Sequence, residues 1–103
     1  MDANKDSIDD YTRLSYQNYE AARNIGNEIK DLSILVNSLY GLASIELVRN
    51  NFISAIELSK GGILYSQQMG AQSKLVNGYS MLSKSYEASG DYQNAYVNYK
   101  LFQ

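Results

Sequence analysis

The sequence predicts an all-α fold of antiparallel helical hairpins stacked one on the next. Three observations carry this. The chain resembles itself at a spacing of 40 residues: Leu35-Val36-Asn37 recurs as Leu75-Val76-Asn77, Leu42 as Leu82, Phe52 as Tyr92, Ala55 as Ala95 and Lys60 as Lys100. A fixed period in this range marks stacked supersecondary units, none of which can bury its apolar face alone. There is no proline in 103 residues, so nothing forces a break inside a long helix. Apolar residues recur three or four apart over most of the chain, and no stretch alternates as a strand does.

Five helices follow, in order. The first is expected from about Ser7 to Ile29, with Ile8, Tyr11, Leu14, Tyr19, Ala22, Ile25 and Ile29 as its apolar stripe. Asp6, Asp9 and Asp10 crowd its start, where the positive end of the helix dipole favours carboxylates. Gly26 and Asn27 are expected to fray its last turn. The second helix is expected from Leu32 to Arg49, capped by Asp31 and followed by a turn at Asn50-Asn51. The third runs from Phe52 to Met69 and stops at Gly70. The fourth spans Gln72 to Ala88. Ser89-Gly90-Asp91 then turns the chain, and Asp91 caps a fifth helix that starts at Tyr92. Turns this short make neighbouring helices antiparallel. The expected organisation is one domain over 1–103, with a half unit at about 7–31 and units at about 32–71 and 72–103.

Composition narrows function. A hydrophobic content of 45% supports a core, and the net charge is only −2, with 9 basic and 11 acidic residues. No basic patch stands out, so nucleic-acid binding is not expected. Histidine and cysteine are absent, which removes the commonest general base, the commonest transition-metal ligand and any thiolate. No nucleophile, base and orienter stand together, so neither an enzyme nor a cofactor is expected. Asp6, Asp9 and Asp10 lack the spacing of a calcium loop and read as a solvated helix start. No apolar run reaches the roughly 18 residues of a membrane span, so direct membrane insertion is not expected. The start, Met1-Asp2-Ala3-Asn4-Lys5-Asp6, lacks a signal-peptide pattern. Either the chain is cytoplasmic or it begins after such a segment.

The last third carries a specific pattern. Tyr79 and Leu82-Ser83 are followed by Tyr86, then by Ala95, Tyr99 and Phe102. Tyr79, Leu82 and Tyr86 share one face of a helix. Ser83 and Ala95 are small and let two helices approach. This pattern resembles the tetratricopeptide repeat, whose signature places an aromatic, a Leu-small pair, a Tyr, an Ala and a Phe at these spacings. The preceding unit fits through Leu39, Leu42-Ala43, Ala55 and Gly62, and departs from the pattern at Glu46 and Ser59. Ser15, Tyr19 and Ala22 show the second half of a unit before that. The repeat is 40 residues long, against the usual 34 or so. The resemblance implies a right-handed α-solenoid that binds a protein or peptide. The stretch from Leu82 to Tyr96 is similar to arrays in bacterial sensory and regulatory proteins, especially those of Bacteroidetes. That implies a sensing or scaffolding part of a larger signalling protein, cytoplasmic or periplasmic.

The candidate binding residues lie on the inner groove that such an array implies. They are Asn37, Tyr40 and Ser44 on the second helix, with Val48 beyond, and Asn77, Met81 and Lys84 on the fourth, with Glu87 beyond. Asn37 and Asn77 could hold a peptide main chain, since an amide both donates and accepts; helix-end solvation is the alternative. Tyr40 is expected off the core stripe. Tyr79, Tyr86, Tyr92 and Tyr99 read as packing residues. Lys84 stands almost alone as a groove cation, which disfavours a clamp on a terminal carboxylate. Gly61-Gly62 reads as a close helix crossing or a hinge. The partner is thus an unidentified protein or peptide, and a structural spacer is the competing reading.

The chain begins with half a unit and ends inside a helix, at Leu101-Phe102-Gln103. Its fifth helix is therefore expected to leave Tyr96, Tyr99 and Phe102 uncovered. A homodimer through this C-terminal face, or marginal stability as a monomer, is the expected consequence.

Overall fold

The structure is a computed structural model that describes residues 3–103, with side chains described from Asp9 onward. The expectations for the side chains of Asp6 and Ile8 therefore lie outside the described residues. Five helices follow one another: α1 Ala3–Ile29, α2 Leu32–Val48, α3 Phe52–Met69, α4 Gln72–Ser89 and α5 Tyr92–Phe102. Among the described residues there is no strand. Four of the five begin where the sequence places them. The exception is α1, which starts at Ala3 and not near Ser7, because Asn4-Lys5-Asp6 contains no glycine or proline to interrupt it.

One turn is used four times. Lys30, Asn50, Gly70 and Gly90 each take a positive φ, at 56°, 64°, 66° and 88°. They stand 20 residues apart. The amide after each one donates back to a carbonyl five residues earlier: Asp31 to Gly26 at 2.9 Å, Asn51 to Glu46 at 2.8 Å, Ala71 to Ser66 at 3.0 Å and Asp91 to Tyr86 at 2.9 Å. This is the left-handed closure that satisfies the last carbonyls of a helix. The next helix starts at once. Asp31 Oδ1 accepts from the Ile34 amide at 3.0 Å, and Asp91 Oδ1 accepts from the Asn94 amide at 3.2 Å. Asn51 does not cap α3 with its side chain. It donates instead to Glu46 Oε2 at 3.3 Å.

The core runs along α2 and its neighbours. Leu35, Val36, Leu39, Leu42, Ala43, Ala55, Ile63, Leu82 and Ala95 are all buried. Small residues separate the helices. Ser59, Ser66 and Ser85 are fully buried, and each donates its hydroxyl to the carbonyl four residues back, at 2.7 to 2.8 Å. Ser83 donates across helices to the Ala95 carbonyl at 2.8 Å, which fits the close approach expected of that pair. No buried side-chain polar atom lacks a partner among the described residues.

Consecutive helices pack against each other, and α2 also meets α4 directly. Among the described residues α1 touches only α2, and α5 touches only α4. The result is a slab 45 × 37 × 19 Å.

Two expectations for α1 are corrected. Gly26 does not fray the helix end. It is buried, and a Cβ there would meet Ile34 Cγ2 and Leu35 Cγ at 3.1 Å, so it is the point where α1 and α2 converge. The stripe expected to be apolar is also split: Tyr19 packs and Ala22 is half-buried, but four of its members point to solvent. Tyr11 is 76% exposed and Ile29 62%, and Leu14 and Ile25 are exposed as well. The helix packs through Tyr16, Tyr19 and Gly26, a face that keeps only the Tyr19 edge of the expected stripe. A Cβ at Gly41 would collide with the Tyr19 ring as it lies.

The turns yield a test. A non-glycine residue in the left-handed region costs about 1–2 kcal/mol. Lys30→Gly should therefore stabilise the chain by about 0.5–1 kcal/mol, part of the gain being lost to the greater freedom of the unfolded chain. Gly70→Ala should destabilise it by about 1 kcal/mol. Urea denaturation midpoints measure both; changes of the same sign would contradict the shared turn geometry.

Candidate functional site

Tyr40 forms a three-helix junction. Its ring lies over Gly62 of α3, and its hydroxyl reaches past Gly78 of α4; a Cβ at either glycine would collide with it. The hydroxyl donates to the Lys74 carbonyl at 2.8 Å and lies 3.2 Å from Ser66 Oγ. Burial pushes the Tyr40 hydroxyl above its ordinary pKa of 10.0, with a smaller push from Tyr79 and an opposing pull from Ser66. The expectation that Tyr40 stands off the packing surface is thus corrected. An amphipathic ring satisfies both an apolar slot and a carbonyl, and Tyr40 does so inside the fold. The same contact makes Gly62 a close helix crossing.

The remaining candidates divide between two faces. Asn37, Ser44 and Asn77 are exposed on α2 and α4, two helices that meet directly. Lys74 joins them: its Nζ donates to Asn37 Oδ1 at 2.7 Å. That bond uses the amide oxygen of Asn37 and leaves its NH2 free to donate. Asn77 lies one helical turn beyond Lys74. A face carrying two amides and an ammonium can hold main-chain carbonyls or carboxylate oxygens. Sequence reasoning has no signal for Lys74, because its counterpart 40 residues earlier, Ile34, is apolar. Val48 is exposed near the end of α2, and Met81 is half-buried.

Lys84 belongs to the second face. With Glu87 it lines adjoining clefts between α4 and α5. One cleft of about 260 Å³ is bounded by Ser83, Glu87, Tyr92, Ala95, Tyr96 and Tyr99. Another of about 270 Å³ is bounded by Ser80, Ser83, Lys84, Glu87, Tyr99 and Phe102. The six candidates therefore do not gather in one cleft. The tyrosines expected to pack also divide: Tyr79 and Tyr86 are half-buried, whereas Tyr92 is 70% exposed and Tyr99 is exposed. Rings at those two positions look onto the open α4/α5 face.

A charged cluster ties α1 to α2. The Arg49 guanidinium lies 4.8 Å from the centre of the Tyr16 ring, and Arg49 also approaches Glu46 Oε1 at 3.5 Å. Burial raises the Tyr16 hydroxyl pKa, and a hydrogen bond to Glu20 and the carboxylates of Glu20 and Glu46 push it further, against Arg23. Glu46, which breaks the repeat pattern, is buried and holds the turn through Asn51. Among the described residues no cluster of His, Cys, Asp or Glu could hold a metal ion, and no helix is long and apolar enough to cross a membrane. No protein-family model, curated protein or solved structure matches the chain.

Tyr40 generates two tests. Tyr40→Ala should cost about 3 kcal/mol of stability, in contrast to a surface change, and a denaturant midpoint close to that of the original chain would exclude the junction. Alkaline pH gives the second. A hydroxyl whose folded pKa is raised contributes stability that is complete below its unfolded pKa and is lost as pH climbs through the folded value. Unfolding free energy should therefore fall above about pH 10, and Tyr40→Phe should flatten that fall while lowering stability at neutral pH by about 1 kcal/mol.

Proposed function

We propose that this chain is a protein-binding helical-repeat module, similar to a tetratricopeptide array, that takes an extended peptide along the face of α2 and α4. It is a binding scaffold and not an enzyme, and it serves as the sensing or scaffolding part of a larger bacterial signalling protein. The observation that carries the reading is the direct meeting of α2 and α4, which brings Asn37, Lys74 and Asn77 onto one open polar face. The hairpin repeat at 40 residues supports the solenoid arrangement, in which alternate helices line the inner surface. The amide NH2 groups reach peptide carbonyls, and Lys74 adds attraction for a carboxylate oxygen.

A rigid face suits this role, because an ordered scaffold loses little entropy when it binds. Peptides selected from a displayed random library against the intact chain supply the probe. Asn37→Ala, Lys74→Ala and Asn77→Ala should each weaken the selected peptide about tenfold, the value of one or two hydrogen bonds. Their melting temperatures should stay within about 2 °C of the original. Glu57→Ala, on an exposed position of α3, should leave affinity unchanged. Equal loss from Glu57→Ala, or failure to select any peptide, would remove the groove.

A further inference from the structure

The α2/α4 face carries chemistry of its own, whatever binds there. Asn77-Gly78 is the chain's only Asn-Gly pair. An asparagine in such a pair is the most prone to lose its amide. Glycine puts no Cβ beside the attacking nitrogen and lets the main chain adopt the conformations that ring closure needs. The Gly78 main-chain nitrogen adds to Asn77 Cγ, gives its proton to solvent and expels ammonia. Water then opens the succinimide at either carbonyl, leaving aspartate or isoaspartate. The folded chain blocks this reaction. Asn77 is exposed, but Gly78 is buried within α4. Helical geometry commits the Gly78 amide to the Lys74 carbonyl, and that carbonyl also accepts from the Tyr40 hydroxyl at 2.8 Å. Tyr40 and Ile63 fill the space where a Cβ on Gly78 would stand. The Gly78 peptide therefore cannot turn toward Asn77 Cγ without displacing them.

We infer that Asn77-Gly78 is a latent deamidation site held closed by the Tyr40 junction, and that it converts when α4 opens locally from α2 and α3. Either product places a new carboxylate one helical turn from Lys74, beside the ammonium that now holds Asn37. Isoaspartate also adds a methylene to the main chain next to Gly78, which breaks the hydrogen-bond register of the helix beneath the Tyr40 ring. Opening of the junction thus leaves a permanent mark on the face that carries Asn37 and Asn77.

The test incubates the intact chain at constant pH and follows Asn77 by mass spectrometry, with chromatographic separation of the isoaspartate form. In denaturing urea Asn77 should convert before every other asparagine, and Gly78→Ala should slow it several-fold. In native buffer conversion should be about a hundredfold slower or more, because slow chemistry tracks the open population. Tyr40→Phe keeps the ring in its slot and should quicken native conversion about fivefold, the population gained by losing one hydrogen bond. Tyr40→Ala should quicken it about a hundredfold. Tyr19→Ala loosens α1, which touches only α2 among the described residues, and should leave the rate unchanged. Circular dichroism checks that each variant keeps its helices, and Tyr40→Phe carries the test if Tyr40→Ala does not. Equal rates in urea and native buffer would overturn the inference, as would another asparagine converting first in urea. An unchanged rate in Tyr40→Phe, or equal acceleration by Tyr19→Ala, would assign the protection to the fold as a whole and remove the junction from it.

Discussion

The rest of the structure depends on the seating of Tyr40 between three helices. Its ring can enter only because Gly62 and Gly78 have no Cβ, and its hydroxyl can stay only because the Lys74 carbonyl receives it. Two glycines inside helices cost about 2 kcal/mol relative to alanines. A half-buried tyrosine ring returns about 2–3 kcal/mol of apolar burial, and its hydrogen bond adds about 1 kcal/mol. The contact is therefore modestly favourable, and its larger effect is geometric. It sets how far α2 and α4 can part, and with them every group on the open face they share.

The second constraint is the length of each helix. Left-handed residues recur at Lys30, Asn50, Gly70 and Gly90, so α2, α3 and α4 each have 17 or 18 residues before the chain must reverse. Helices of equal length stack without overhang. Buried serines, alanines and glycines then bring them close, and the hydroxyls return their hydrogen bonds to their own helices. Ser83 is the exception that binds across, and it does so to the carbonyl of the alanine it packs against. Only α1 is longer, at 27 residues, and it runs past the position where the same spacing would place a turn. That position holds Asp10, and the helix continues through it.

Much of this was legible in the sequence, for reasons that particular residues make plain. Gly70 and Gly90 announce the left-handed region because they enter it without strain, and Asp31 and Asp91 announce caps because a short carboxylate reaches the next free amides. Lys30 announces nothing, since no property of lysine favours that region. The packed face of α1 was legible only in part: the repeat points to Tyr19, but periodicity alone cannot tell which of two apolar faces is turned inward. Tyr11, Leu14, Ile25 and Ile29 of the expected stripe face solvent, while Tyr19 of that stripe meets α2 together with Tyr16 and Gly26. Tyr40 misled for a different reason. Its slot is assembled from glycines on two other helices, and no local pattern around residue 40 records them. Lys74 was hidden by the repeat itself, which sets an isoleucine in the matching place.

Lys74 joins the packing of the molecule to its open face. Its carbonyl holds Tyr40 inside the junction, and its ammonium holds Asn37 on the surface. One residue thus ties the orientation of an exposed amide to the spacing of α2 and α4. A side chain fixed in this way loses less freedom when a ligand arrives than one that must first be ordered. The tyrosines of the α4/α5 face have no such tether to a main-chain carbonyl, and they offer area more than direction. The two faces therefore differ in what they can recognise. The α2/α4 face suits a ligand read by hydrogen bonds at fixed positions, and the α4/α5 face suits a broad apolar contact.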